Sequence, residues 1–343
     1  MRLTKLPIEL TSALYVLTYI PYMVITRVLA TIPQPGVGRV LSGLEVLPPV
    51  LIIATALILL FAILAGWTRS ANQLRLGAVS VPWPRWSTTI SGFGTAMLLF
   101  TVPMSLTFEN VSIPFMQLIM RGDVLIIAPL VDLVARRRVR WWSWIALGLV
   151  AIGMAMTISE RRGLSLPPLA IFTVIVYTIG YFVRLSVMTR IAKSGRPNEV
   201  EAYFVEEKLV AMPLSVLMLA AVALTPMAQG SDFRWGFVDS WTSGAFSLLI
   251  ALSAAFFAVS VFSALILLDQ RENTFCVPFE RAASIIAGIV AAFLMAIFFG
   301  QKYPTQAEIA STALLLVAVA LLSIAPRLAD NSKKTAGEVA APS

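Results

Sequence analysis

Ten apolar stretches follow one another along the chain, each about as long as a helix must be to cross a bilayer. This succession limits the fold more than any other feature. The stretches run over 9–30, 43–67, 87–106, 109–134, 140–158, 166–190, 202–225, 244–268, 275–299 and 305–325. Crossing the hydrocarbon takes about 20 helical residues, and backbone groups that meet no water must be satisfied within the segment. The expected fold is therefore an all-α polytopic membrane protein with ten transmembrane helices. Composition agrees: of 343 residues 58% are hydrophobic and 13% charged, and mean hydropathy is +0.85. A soluble domain carries about 25% charged residues, so a water-soluble domain and a disordered chain are both excluded. Pro21, Pro114, Pro129, Pro213 and Pro278 fall within stretches, where neighbouring helices can satisfy the carbonyls they release.

The residue inventory excludes several chemistries. There is no histidine, so metal sites and proton relays built on imidazole are absent. Cys276 is the single cysteine and has no intrachain partner. No Gly-rich phosphate loop and no GxSxG occurs, so neither an enzyme nor a bound cofactor is expected. The formal charge of +8 reads as loop charge rather than a nucleic-acid surface. With the N-terminus inside, inner segments hold 16 basic residues and outer segments 5, which places both termini in the cytoplasm. Arg2 and Lys5 precede an apolar stretch too long for a cleavable signal peptide. The tail over 327–343 is polar and rich in small residues, and reads as disordered.

The two halves share a layout. VSIPFMQLIMRGDVLIIAPLVDLVARRRVRWWSWIALGLVAIG starts at Val111, and FCVPFERAASIIAGIVAAFLMAIFFGQKYPTQAEIASTALLLV starts at Phe275. Setting Pro114-Phe115 on Pro278-Phe279 aligns them without a gap at an offset of 164. Each copy has a Pro-Phe near the helix start, an apolar run, a short polar turn and a second helix rich in small residues. The units are 1–160 and 161–326. Five stretches per half make the second copy enter the membrane upside down, as in many secondary transporters.

On these residues the chain resembles the drug/metabolite transporter superfamily and its EamA-like repeat. The resemblance implies an alternating-access carrier of small organic solutes in a bacterial inner membrane. The fourth stretch is also similar to nucleotide-sugar transporters, which often place a Gln and a basic residue one turn apart, as Gln117 and Arg121 stand here. The first half departs from the short-loop pattern with SVPWPR over 80–85.

Each ionisable residue inside a stretch costs about 2.5–3.5 kcal/mol on insertion scales, so each asks for a reason. Arg121, Asp123, Arg184, Glu206, Glu207, Lys208, Glu280 and Arg281 all fall at mid-membrane or in its cytoplasmic half, four positive and four negative. Gln117 and Arg121, four apart, share a helix face. The 164-residue offset puts Arg281 opposite Gln117, so a two-fold would turn Arg121 and Arg281 into one cavity. There they would bind a carboxylate or phosphate, with Gln117 adding selectivity. Alternatively Glu206, Glu207, Glu280 and Asp123 neutralise them and form an inner gate, a packing network or a coupling site. Glu206 and Glu207 point about 100° apart on a helix, so at most one need face a cavity.

Aromatic residues allow two readings as well. Tyr15, Tyr19 and Tyr22 flank Pro21 and either stack on a ligand or pack. Trp141, Trp142 and Trp144 beside the arginines of 136–140 read as an interfacial belt, and Arg27 as an interfacial anchor. Gly148 and Gly153 suggest close helix approach, within the fold or in a homodimer. The function expected is secondary transport of a small anionic or zwitterionic metabolite. The alternative is a non-transporting scaffold or receptor subunit whose buried charges neutralise one another.

Overall fold

The computed structural model describes residues 6–77, 79–105, 124–136, 138–159, 168–224, 233–307, 309–314, 316–318, 320–321 and 324–325. Helices occupy most of the described residues of the apolar stretches, and one short helix lies outside them. They are α1 (Ile8–Thr31), α2 (Gly43–Leu64), α3 (Trp86–Ser105), α4 (Val124–Val134), α5 (Trp141–Ser159), α6 (Pro168–Ile191), α7 (Glu199–Ala223), the short α8 (Phe233–Phe237), α9 (Phe246–Leu267) and α10 (Asn273–Phe299). Among the described residues, five segments are long and apolar enough to cross a membrane: Ile8–Thr31, Gly43–Leu64, Ile171–Ser194, Phe246–Leu267 and Asn273–Phe299. Large apolar side chains such as Leu17, Phe172, Leu217 and Ile297 stand exposed on the outside, while charged groups are buried within. That inversion of the soluble pattern fits an all-α integral membrane protein.

Local sequence sets the element ends. Ser42 and Glu45 form a reciprocal capping box at the start of α2, with Ser42 N donating to Glu45 Oε2 at 2.7 Å. Gly66 ends α2 in the left-handed region at φ 72°. The Pro-rich segment over 80–85 begins within an antiparallel hairpin, β1 (Gln73–Leu76) with β2 (Val79–Pro82), in which Leu76 pairs with Val79. The two-residue turn starts at Gly77, whose φ of 64° suits glycine.

Packing closes eight helices into a ring: α1 against α9, α9 against α2, then α7, α3, α6, α4, α10 and back to α1. α5 lies outside it, on α4 and α10. The α3–α6 contact is a backbone contact, because a Cβ placed on Gly94 would stand 2.7 Å from the Gly180 carbonyl oxygen. Gly148 meets open space instead, whereas Gly153 approaches Ser311. Polar contacts fix direction. Arg27 and Thr31, late in α1, bond to Gln301 just past α10, so these helices run parallel. Arg27 therefore has a partner in the protein as well as a place near the helix end. Thr189, late in α6, accepts from Asn273 at the start of α10, so α6 runs against them. One end of the ring thus gathers the hairpin and the α4–α5, α6–α7 and α9–α10 turns.

Candidate functional site

Two clusters of buried polar side chains lie inside this ring, and α6 links them. Its residues Tyr177, Tyr181 and Arg184 recur at helical spacing and share one face. Facing them is Arg281, eight residues into α10. Arg281 Nη2 donates to the Tyr177 hydroxyl at 2.7 Å, and its guanidinium lies 4.9 Å from the Tyr181 ring centroid. The Tyr177 and Tyr181 rings are stacked at 6.0 Å. A guanidinium placed over an aromatic face and tied to a phenol has a fixed orientation, which a lysine at that position would lack.

Glu280 precedes Arg281 and turns towards α1 and α9. Its Oε1 accepts from the Tyr15 hydroxyl at 2.7 Å and from Ser263 Oγ at 3.0 Å. Its Oε2 stands 3.6 Å from Arg281 Nη1 and, among the described residues, receives no hydrogen bond. Tyr15 is buried, and its ring leads to Tyr19 at 5.2 Å and on to Tyr22 at 5.5 Å. The structure therefore brings together Tyr15, Glu280 and Arg281, with Tyr19 one ring removed.

Glu207 is the centre of the second cluster. Its Oε1 accepts from Arg184 Nε at 2.7 Å and from Thr95 Oγ1 at 2.5 Å, with the Tyr203 hydroxyl at 3.4 Å. Tyr203 in turn shares a bond with Ser91 Oγ. Lys208 lies on the other side, with its ammonium 3.7 Å from Glu207 Oε2, beyond hydrogen-bond reach, and 5.9 Å from the Phe204 ring. Two cations face one carboxylate, so this cluster carries one excess positive charge. All three side chains are mostly buried.

Glu206 has a different environment from its neighbour. Its carboxylate accepts from the backbone N–H of Asn72 and Arg85, from Arg85 Nε at 2.9 Å and from Thr88 Oγ1 at 2.7 Å. It thereby caps α3 and ties the hairpin to α7. Arg85 also forks onto Glu199. Burial lowers the Arg85 pKa, but the hydrogen bonds and charges of Glu199 and Glu206 outweigh it and hold the guanidinium above its ordinary value.

Asp132 makes the corresponding clasp at α10. Fully buried, it accepts from Asn273 N and Nδ2 and from Thr274 N and Oγ1 at 2.6–3.1 Å. Glu272 accepts from Ser143 Oγ at 2.8 Å at the start of α5. Beside this end lies a cavity of about 150 Å³ between the starts of α1 and α7 and the end of α9, lined by Thr11, Val200, Asp269 and Gln270 among others.

Gln117, Arg121 and Asp123 lie outside the described residues. The sequence reading passed over Asp132, Thr95, Ser263, Tyr177 and Tyr181. One signal for the tyrosines was present: Tyr15-x₃-Tyr19 in α1 recurs as Tyr177-x₃-Tyr181 in α6. The tryptophan belt needs correcting. Trp141 and Trp144 are exposed, but Trp142 is buried beneath Arg140, whose guanidinium lies 5.2 Å from its ring. Positions 141 and 144 share a helix face that 142 does not.

No family model matches the chain, and no curated protein matches it closely. Among solved structures, 28 chains match. One of them, a crystal structure of a protein, covers 93% of this chain and 97% of its own length with a TM-score of 0.62 at 14% identity. A likeness at that identity is one of fold alone.

Proposed function

We propose that the chain is a ten-span secondary transporter, built from two inverted five-helix units, that moves a small anionic or zwitterionic metabolite by alternating access. The observation that carries this reading is Arg281, mostly buried among the helices and oriented by Tyr177 and Tyr181. A guanidinium is costly there, and an oriented one suits a carboxylate or phosphate. The ring supports the repeat, because α1 packs on α9 and α10 as α6 packs on α3 and α4. Lys208 joins the candidate binding residues, since the Glu207 cluster holds more positive than negative charge.

In this reading the Glu280–Arg281 pair is the exchangeable element. Its contact is long, and Glu280 has Tyr15 and Ser263 as other partners. A substrate anion can take the guanidinium while the carboxylate stays bonded. Asp132 and Glu206 belong to the scaffold, and Tyr15 and Tyr19 line the approach from α1.

The second reading, a non-transporting scaffold, draws on the direct Arg184–Glu207 ion pair at 2.7 Å. A thermal-shift screen of purified protein against organic anions, zwitterions and neutral analogues separates the two. Selective stabilisation by one anionic or zwitterionic class, lost in Arg281→Ala and Arg121→Ala while expression stays normal, supports transport. Its reconstituted uptake then completes the case. No stabilisation by any class, with both variants as stable as the parent, favours the scaffold.

A further inference from the structure

The turn between α4 and α5 carries four arginines within five positions, Arg136, Arg137, Arg138 and Arg140. Arg136, Arg138 and Arg140 are exposed, and among the described residues none of these three makes an ion pair with a carboxylate. Acids stand close by but are already engaged. Asp132, one turn before Arg136, is enclosed by Asn273 and Thr274. Glu272 is turned to the Ser143 hydroxyl and the Arg140 backbone N–H. The chain thus concentrates positive charge and directs its own nearest anions elsewhere.

Two further features show what sort of anion fits. Arg136 sits just past α4 at a φ of 53°, where glycine is the residue without steric penalty. Its side chain is exposed at that turn. Directly adjoining the arginines, the outer faces of both helices are apolar: Leu133 is 72% exposed on α4, and Trp141 and Trp144 are 61% and 52% exposed on α5. A site for a soluble anion or an acidic peptide has no need of that surface. A phospholipid does, because its phosphate meets the guanidinium groups while its chains lie along the tryptophans and leucine.

We propose that the α4–α5 turn is a binding site for an anionic phospholipid headgroup, with the adjoining faces of α4 and α5 receiving the acyl chains. This assignment does not depend on the transport reading. The test is native mass spectrometry of the purified full-length protein, with added phosphatidylglycerol or phosphatidylcholine of identical chains. Phosphatidylglycerol should be retained preferentially. The combined variant Arg136→Gln, Arg137→Gln, Arg138→Gln and Arg140→Gln should lose that retention at least tenfold. The four-lysine variant should keep most of it.

A matched variant with Arg69, Arg75, Arg190 and Arg196 each changed to Gln removes the same charge elsewhere and should retain the lipid. Thermal unfolding of every variant checks that the fold persists. The proposal is overturned if the glutamine variant binds as the parent does. It is also overturned if the matched variant loses as much, since that would be a net-charge effect. Competition by millimolar inorganic phosphate that matches displacement by the lipid would overturn it too, since the acyl chains would then contribute nothing.

Discussion

Asp132 and Glu280 are both buried carboxylates at α10, yet their surroundings differ. Asp132 is saturated by four donors from Asn273 and Thr274, two of them backbone N–H groups that the helix start leaves without partners. Glu280 has one well-bonded oxygen and one that faces Arg281 at 3.6 Å. The difference separates holding from exchanging. A carboxylate whose lone pairs are filled by fixed backbone donors cannot be released without orphaning those donors. A carboxylate with one loosely met oxygen can lose its cation to another anion at small cost.

The largest expected effect tests the first half of that contrast. Asp132→Ala takes the acceptor from three buried donors and leaves Asn273 Nδ2 with Thr189 alone, which should cost about 3–5 kcal/mol, read by reversible unfolding in mixed micelles. Glu280→Gln, which keeps acceptors for Tyr15 and Ser263, should cost about 1–2 kcal/mol on the same scale. Equal losses in the two variants would erase the distinction. Gly94→Ala forces the α3–α6 backbones apart and should destabilise by about 1–3 kcal/mol, an effect of scaffold alone that leaves ligand selectivity unchanged. Tyr177→Phe removes one hydrogen bond to a charged group, costs about 1.5 kcal/mol, and should weaken ligand-induced stabilisation more than Gly94→Ala does. Lys208→Met should be the mildest for the fold, within about 1 kcal/mol of the parent, because an ammonium without a close acceptor contributes little when buried. It should nevertheless reduce stabilisation by an anionic ligand, and unchanged ligand response would remove Lys208 from the binding residues.

Much of the fold was legible because hydrophobic run length maps directly onto helix length. Stretches expected over 9–30, 140–158 and 275–299 are helices over Ile8–Thr31, Trp141–Ser159 and Asn273–Phe299. The hairpin over 73–82 was not legible, because two four-residue strands in a Pro-rich loop carry no long period. Arg281 stood out as a charge in an apolar helix. Asp132 did not, because it lies near a helix end and its partners stand 141 and 142 residues away. Tyr177 and Tyr181 look like ordinary packing residues until Arg281 is placed against them.

Glu206 and Glu207 mark the boundary between the two kinds of information. Adjacency on a helix is enough to dictate that they diverge by about 100°. Which of them turns to the hairpin and Arg85, and which to Arg184 and Thr95, depends on the packing of α3 and α6 beside α7. Run lengths and helical periodicity are local quantities, set by bond geometry and the thickness of the hydrocarbon. The partner of a buried charge is set by whichever donors distant segments bring within about 3 Å, and only the closed ring of helices decides that.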